Sequence, residues 1–167
     1  VCSSDLANVI WVSGNHDFYN TGFHRTRIFN PDIEKQYPYP KMVDEIHQHY
    51  AKYSASHGIH YLNRSSVVID GVRFVGATGW HDFVAGEPFS KGDQIIEWMD
   101  THDSRIMWHD KGADPWILED SAKADCEYIA NAVAESQEPV VVVTHHLPHR
   151  QLSVLRPHDI SWTKLHG

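Results

Sequence analysis

Two apolar runs rich in β-branched residues each end abruptly on a polar motif, and this feature most limits how the chain can fold. The first run, 8–13, leads into Gly14-Asn15-His16-Asp17, and the second, 140–143, leads into Thr144-His145-His146. Such short runs predict strands, and the second, which lacks polar alternation, is expected to be buried on both faces. Because α/β sheets bind ligands at the carboxyl ends of their strands, we expect both motifs at one sheet edge.

Each residue of the first motif has a chemical use. Gly14 leaves space where a Cβ would clash, and Asn15 offers an amide oxygen, a hard ligand suited to divalent cations. His16 exchanges a proton near neutral pH, and Asp17 can hold its imidazole in one tautomer. Taken singly, Asn15 also fits an ordinary turn and His16 a solvated loop. The combination favours a metal-assisted or proton-transfer site.

Three blocks of the chain carry a resemblance to one family. Gly14-Asn15-His16-Asp17 resembles the Gly-Asn-His-Asp/Glu motif of the calcineurin-like metallophosphoesterases. Residues 76–83, Gly-Ala-Thr-Gly-Trp-His-Asp-Phe, resemble the Gly-Ala-Thr-x-Trp-x-Asp-Phe block of one bacterial branch, and 140–148 resemble its apolar strand ending in Thr-His-His-x-Pro. The blocks stand in the family's order between Asn8 and Pro148. The resemblance implies an α/β fold, an incomplete αββα sandwich with mixed sheets flanked by helices.

The resemblance also implies an enzyme that hydrolyses phosphate esters with two divalent metal ions, of manganese, iron or zinc. Asn15 and His145 are then expected to bind the same ion. His16 would stabilise the transferring phosphoryl group and protonate the leaving oxygen, and Asp17 would orient His16. Candidate substrate-binding residues are His146, His149, Arg150 and Trp80, with solvent exposure of His149 and Arg150 and packing of Trp80 against the sheet as alternatives.

Two adjacent histidines follow the second strand, and only one of them is expected to face the ion. Neighbouring side chains in extended backbone point to opposite sides. Alignment with the family motif selects His145 as the ligand. His146 is then expected at the rim of the site or behind the ligand.

Several motifs of the family have no counterpart here. No Asp-x-His or Gly-Asp precedes Gly14, and no Gly-His-x-His follows His149. The look-alikes Gly92-Asp93 and Asp100-Thr101-His102 stand in the wrong order, so we assign Asp100, His102 and Asp103 to a polar loop. Residues 1–6 resemble a non-native tag, and 7–167 are predicted to form a partial domain. We therefore expect at most one weakly bound metal ion and little activity from this fragment.

Charge and cysteine content narrow the possible partners and compartments. A net charge of −8 provides no basic surface for nucleic acid or anionic membranes. Cys2 and Cys126 are too few for a disulfide framework or a thiolate zinc site. No apolar run reaches transmembrane length, and a cytoplasmic protein acting on a phosphate-ester substrate is predicted.

The remaining elements are predicted from periodicity and turn residues. Residues 18–40 are expected to form a long loop, and a helix should start near Pro40 and stop near Gly58. Its apolar stripe is Met42, Val43, Ile46, Tyr50 and Tyr53, with His47, His49 and His57 solvated. Asp70-Gly71 predicts a hairpin between two apolar runs, and a short helix is predicted over 93–99. A longer helix over 119–136 is predicted to be capped by Ser121 and to bury Ala122, Cys126, Ile129, Ala130 and Val133.

Two other functions are compatible with parts of this pattern. A non-catalytic binding or scaffold module could keep the same fold, although the retained His16 favours an enzyme. A mononuclear site could instead be built from His102, His109, His145 and His146. No Gly-x-Ser-x-Gly elbow or glycine-rich phosphate loop is present, so other hydrolase classes gain no support.

Overall fold

The computed structural model describes residues 8–19, 42–83, 90–101, 103–108, 111–112 and 114–147. Three α-helices lie in this part of the chain: α1 (Val43–Ser56), α2 (Lys91–Met99) and α3 (Pro115–Glu135). The strands are β1 (Val9–Trp11), β2 (Ile59–Tyr61), β3 (Ser65–Ile69), β4 (Val72–Ala77), β5 (Met107–Trp108), β6 (Lys111–Gly112) and β7 (Val140–Thr144). Short 3₁₀ turns cover Asn15–Phe18 and Asp103–Arg105. Residues 1–7, residues 20–41 with most of the predicted loop, His102, His109 and the stretch from Pro148 onward, with His149 and Arg150, lie outside the described residues.

The described strands pair in both directions, so the fold is mixed α/β as predicted. β1 and β2 run parallel, with Val9 opposite Ile59. β4 is the centre of a second sheet, antiparallel to β3 and parallel to β7, with Ala77 opposite Thr144. β5 and β6 form an antiparallel pair. The parallel pairing of β4 and β7 brings the ends of these two strands to one edge.

The hairpin between β3 and β4 is confirmed. Asp70 and Gly71 both take positive φ, at 49° and 78°. Two successive residues in this left-handed region give a type I′ turn, whose twist matches that of paired strands. Asp tolerates this region and Gly has no Cβ to clash there, so the dipeptide alone is sufficient to predict the turn.

The first two helices lie close to their predicted positions. α1 begins after Met42 and ends just before Gly58, whose φ of +67° terminates it. Val43 and Ile46 are buried, as predicted, whereas Tyr53 is half exposed. α2 starts two residues before the predicted segment and ends at Met99 with it.

The start of α3 was predicted wrongly, and of its predicted buried face only Ala122 is buried. Asp114 caps the helix by accepting the Ile117 N–H at 2.9 Å, and Pro115 occupies its first turn. Ser121, the predicted cap, is instead inside the helix and buried. The buried positions are Leu118, Ser121, Ala122 and Asp125, whereas Cys126, Ala130 and Val133 are exposed. The face is rotated because Asp125 binds groups of the core, an attraction that a count of apolar residues omits.

Strand β7 is not buried on both faces, which corrects a second prediction. Val141 and Val142 are 43% and 39% exposed. Among the described strands β7 pairs with β4 alone, so it lies at the edge of its three-stranded sheet. An unbroken run of valines therefore indicated the strand correctly but not its surroundings.

The main core lies among the helices and the segments that follow the strands. It contains Phe18, Val43, Ile46, Trp80, Phe83, Trp98, Ile106, Trp108, Leu118 and Ala122. Gly76 allows β4 to approach the residues that follow β1 and β2, because a Cβ there would lie 2.5 Å from Leu62 Cβ and 3.0 Å from Val12 Cγ1. Within the described residues, no helix combines the length and apolar character needed to cross a membrane.

Candidate metal and phosphate site

The ends of β1, β4 and β7 meet at one place. The hydroxyls of Ser13 and Thr78, which follow β1 and β4, lie 3.3 Å apart. The carbonyl oxygen of Thr78 accepts the backbone N–H groups of His145 and His146, at 3.1 and 3.2 Å. These bonds hold the residues after three strands together, which is the convergence expected from the carboxyl ends of strands in an α/β fold.

Asn15 and His145 are in direct contact across this junction. The side-chain oxygen Oδ1 of Asn15 lies 2.9 Å from Nε2 of His145, although the two residues are 130 positions apart in the chain. Asn15 is 4% exposed, whereas His145 faces solvent. The two side chains that were predicted to share one cation are therefore neighbours, with the imidazole on the open side.

Gly14 is required for this contact because of space rather than backbone conformation. Its φ of −102° and ψ of 173° are open to any residue. The imidazole of His145 lies directly over it, and a Cβ at position 14 would come within 2.6 Å of Cε1 and Nδ1. Glycine at this position therefore permits the ring of His145 to reach Asn15.

Asp103 is a buried partner of Asn15, which corrects its assignment to a polar loop. It is 4% exposed and lies in the second 3₁₀ turn. Its two carboxylate oxygens accept from Nδ2 of Asn15 at 2.9 and 3.1 Å, and it also accepts the Tyr19 hydroxyl. Burial, and after it the hydrogen bond and charge of Asp103, raise the pKa of Tyr19 well above its ordinary value, so its phenol keeps its proton.

Sequence reasoning missed Asp103 because no local pattern separates it from its polar neighbours. The residue stands in Asp100-Thr101-His102-Asp103, a polar stretch without periodicity. The one available signal is the apolar segment that begins at Ile106, which is fully buried. Such a segment indicates that the preceding turn is anchored in the core, though not which acid it buries.

The contacts of Asp17 and His16 differ from the expected pair. Oδ2 of Asp17 accepts the backbone N–H of Gly14 at 2.8 Å, and the Asp17 N–H donates to the Gly14 carbonyl at 3.1 Å. Within the described residues Asp17 makes no hydrogen bond to His16. The ring of His16 is exposed and lies 4.6 Å from that of Tyr19, centroid to centroid. Asp17 therefore stabilises the turn that presents Asn15 and His16, rather than the imidazole itself.

Two of the predicted substrate-binding residues are interior. His146 is 7% exposed and its ring lies 5.7 Å from that of Trp80. Its ring also lies 4.8 Å from that of His145, so the prediction that the two histidines point to opposite sides is wrong. The backbone bends after β7, where both N–H groups donate to the Thr78 carbonyl, and is no longer extended at these two residues. Trp80 is 5% exposed and belongs to the core, which confirms the packing alternative. Direct contact of His146 with a substrate is therefore not supported. His149 and Arg150 lie outside the described residues.

A partly buried chain of hydrogen-bonded polar groups lies next to the site. Nδ1 of His47 lies 2.6 Å from the Tyr61 hydroxyl, which lies 2.9 Å from the Ser13 hydroxyl. His47 was predicted to be solvated, but burial, the largest influence, lowers the pKa of its imidazole to about 4. Burial also raises the pKa of Tyr61 above its ordinary value. At neutral pH the chain is therefore uncharged and links α1 to the end of β1.

Asp125 holds the segment after β4, and this role was also missed. It is 1% exposed and accepts the backbone N–H groups of Gly79 and Trp80, at 2.8 and 3.2 Å. Its other oxygen accepts Nε of Arg64 at 2.6 Å. The carboxylate therefore joins α3 to the β2–β3 turn and to the strand end that carries Thr78.

A cavity of about 350 Å³ opens between α1 and α3. Trp80 and Trp108 contribute aromatic walls, and Arg64 and His47 contribute polar groups. The full lining is Val43, Asp44, His47, Asn63, Arg64, Trp80, Trp108, Ile117, Asp120 and Ser121. None of Asn15, His16 and His145 is part of this lining, so the cavity is distinct from the strand-end site.

The side chains that meet at the strand ends are of kinds that bind divalent cations. The 2.9 Å between Oδ1 of Asn15 and Nε2 of His145 is an ordinary hydrogen-bond length, so Nε2 would exchange its proton for the ion if a cation bound there. Amide oxygen and imidazole nitrogen suit manganese, iron or zinc. In the part of the chain that the structure describes, no three His, Cys, Asp or Glu side chains come together as a metal-holding group.

Comparisons with protein-family models, with curated proteins and with solved structures found no match to this chain.

Proposed function

We propose that this chain belongs to a metal-dependent phosphoesterase of the calcineurin-like type, with Asn15 and His145 as ligands of one divalent cation. The observation that carries the proposal is the 2.9 Å contact between Oδ1 of Asn15 and Nε2 of His145. The two atoms belong to different motifs, each behind its own strand, and both motifs resemble metal-binding motifs of that family. The proposal extends to the fold, in which the mixed sheets and helices form part of an αββα sandwich.

The proposed site combines one buried ligand, Asn15, with exposed side chains. A bound cation would offset the negative charge of a phosphate ester and lower the pKa of a bound water. Asn15 is held from behind by Asp103, and His145 closes the open side. His16 is exposed directly beside Asn15 in the chain, where its imidazole can give a proton to the leaving oxygen. The net charge of −8 disfavours the approach of an anionic substrate, and a bound cation would offset part of that repulsion.

Titration with Mn²⁺ tests the metal ligands directly. Substoichiometric Mn²⁺ should broaden the NMR signals of Asn15 and His145 before other signals, because a paramagnetic ion relaxes its nearest nuclei fastest. Asn15→Ala and His145→Ala should each weaken binding by about tenfold or more, since loss of even a supporting partner costs that much. His57→Ala, which removes an exposed histidine at the end of α1, should leave the titration unchanged. If Mn²⁺ broadens the Asn15 signals of His145→Ala as strongly as those of the wild type, the proposal is contradicted.

Turnover of an activated aryl phosphodiester with added Mn²⁺ tests the catalytic part. We expect little turnover, because only Asn15 and His145 supply ligands among the described residues. A slow rate that is lost in His16→Ala would support the role of His16. Robust turnover by residues 1–167 alone would contradict the expectation that the metal site here is partial.

A further inference from the structure

We infer that Asp103 is a positioning residue that, together with Tyr19, holds the amide of Asn15 with its oxygen toward His145. The inference rests on the proposed function for the identity of the ligand that Asn15 binds. The hydrogen bonds that carry it belong to the metal-free protein. Asp103 lies 88 positions from Asn15 in the chain and outside the three motif blocks.

The hydrogen bonds around Asn15 account for every polar atom of its amide. Nδ2 has two protons, and its acceptors are the Asp103 carboxylate, at 2.9 and 3.1 Å, and the Tyr19 hydroxyl, at 3.1 Å. The Tyr19 hydroxyl donates its own proton to Asp103, so its oxygen remains available as an acceptor. Oδ1 is then left for His145, which donates from Nε2.

The carboxylate of Asp103 favours one of the two orientations of the Asn15 amide. An ionised carboxylate only accepts hydrogen bonds, so Asp103 can face the nitrogen of the amide but not its oxygen. Turning the amide over would oppose Oδ1 to the carboxylate and turn the NH₂ group toward His145. Asn15 and Asp103 are each only 4% exposed, so water cannot readily compensate the lost bonds. An NH₂ group has no lone pair for a cation, so the correct orientation decides whether Asn15 can act as a ligand.

The main chain holds Asp103 in place for this task. Its carbonyl accepts the Ile106 N–H at 3.1 Å, which closes the 3₁₀ turn Asp103–Arg105. Ile106 is fully buried in the main core. The turn is therefore anchored by packing, and its carboxylate is directed at the strand end from a rigid support.

The tautomer of His145 reports the orientation of Asn15 without any metal. In wild type, Nε2 of His145 donates to Oδ1, so the ring should carry its proton on Nε2. If the amide turns over, its NH₂ donates to Nε2, and the proton moves to Nδ1. Long-range ¹H–¹⁵N NMR of the imidazole at about pH 8, where an ordinary histidine is neutral, distinguishes the two tautomers.

Asp103→Asn is the sharpest variant, because it keeps the shape of the side chain but can donate as well as accept. We expect it to shift His145 toward the Nδ1–H tautomer and to weaken Mn²⁺ binding by about 10- to 100-fold. A role in packing alone would leave this isosteric variant like wild type. Asp100→Asn, which removes the same charge from an exposed position nearby, should change neither the tautomer of His145 nor the Mn²⁺ affinity. Tyr19→Phe should shift the tautomer in the same direction but less.

The two readouts separate this inference from the proposed function. A wild-type chain that fails to bind Mn²⁺ contradicts the proposed function, while a tautomer shift in Asp103→Asn still supports the orienting role. Conversely, an unchanged tautomer and unchanged Mn²⁺ affinity in Asp103→Asn would overturn the role of Asp103 and leave the ligand assignment intact. Retention of the wild-type ¹H–¹⁵N amide spectrum elsewhere confirms that the variant is folded.

Discussion

Replacing Gly14 with alanine should move His145 without straining the backbone. Alanine readily adopts the φ of −102° and ψ of 173° found at this position. Its Cβ, however, would lie 2.6 Å from Cε1 and Nδ1 of His145, whereas ordinary contacts begin at 3.4 Å. The ring must therefore retreat by about 0.8 Å. The Cβ would lie 2.6 to 2.8 Å from Cε1, Nδ1 and Cγ alike, so it faces the plane of the ring and displaces the ring roughly perpendicular to that plane. The 2.9 Å contact of Nε2 with Asn15 is then bent out of the ring plane and weakened.

The consequence should be local. His145 faces solvent, so its ring can move without opening the core, and we expect the free energy of unfolding to change by less than about 1 kcal/mol. The affinity for Mn²⁺ should fall by about tenfold or more, because one of two ligands is displaced. The imidazole signals of His145 should shift in the metal-free protein.

Urea unfolding, Mn²⁺ titration and NMR of the imidazole together check this prediction. Gly92→Ala is the matched control, because a Cβ there meets only Ser90 Oγ, at 3.6 Å, and should leave the site unchanged. Imidazole signals of His145 that stay at their wild-type positions in Gly14→Ala, with Mn²⁺ affinity within about twofold of wild type, would refute the reasoning.

Three further predictions concern the support of the site. Asp125→Ala should lower the free energy of unfolding by about 3 kcal/mol in urea, because it leaves buried N–H groups and Arg64 without their acceptor, and a loss below about 1 kcal/mol would contradict this. The pKa of His47 is lowered to about 4 in the folded state, so the unfolded state takes up this proton at a higher pH. The contribution of His47 to the free energy of unfolding should therefore be fully present above about pH 6.5 and should be lost as the pH falls toward 4. His47→Gln should flatten that slope in pH-dependent urea unfolding. Gly76→Ala should cost about 1–3 kcal/mol in the same assay through overlap with Leu62, and unchanged stability would show that the strand can shift.

Local features of the chain were predicted well because local physics sets them. The Asp70-Gly71 turn depends on two backbone angles, and its sequence is sufficient to favour them. The helix Val43–Ser56, which stops just before Gly58, and the strand Val140–Thr144 follow from residue spacing and β-branching. The predicted meeting of Asn15 and His145 followed from strand-end motifs, and the structure brings them into contact.

The errors share one physical cause, which is that burial of a polar group depends on its partners. His47, Asp103 and Asp125 resemble solvated residues in sequence, yet each is hydrogen-bonded within the fold. A carboxylate can be buried where hydrogen-bond donors contact it, and those donors belong to segments that are distant in the chain. Conversely, Val141 and Val142 lie exposed because β7 is at the edge of its sheet.

The sequence by itself determined the apolar runs that form β1, β3, β4 and β7, the turn at Asp70-Gly71, and the two motifs whose side chains meet beyond β1 and β7. These are short-range properties of backbone angles, side-chain volume and ligand chemistry. Only the tertiary structure decided how those groups are aimed. Asp103 reaches Asn15 from 88 positions away, and the missing Cβ of Gly14 admits the ring of His145. The orientation of these side chains depends on contacts between segments that are far apart in the chain. Their separation in the sequence does not indicate how close they lie in the folded protein, so only the tertiary structure gives the orientation.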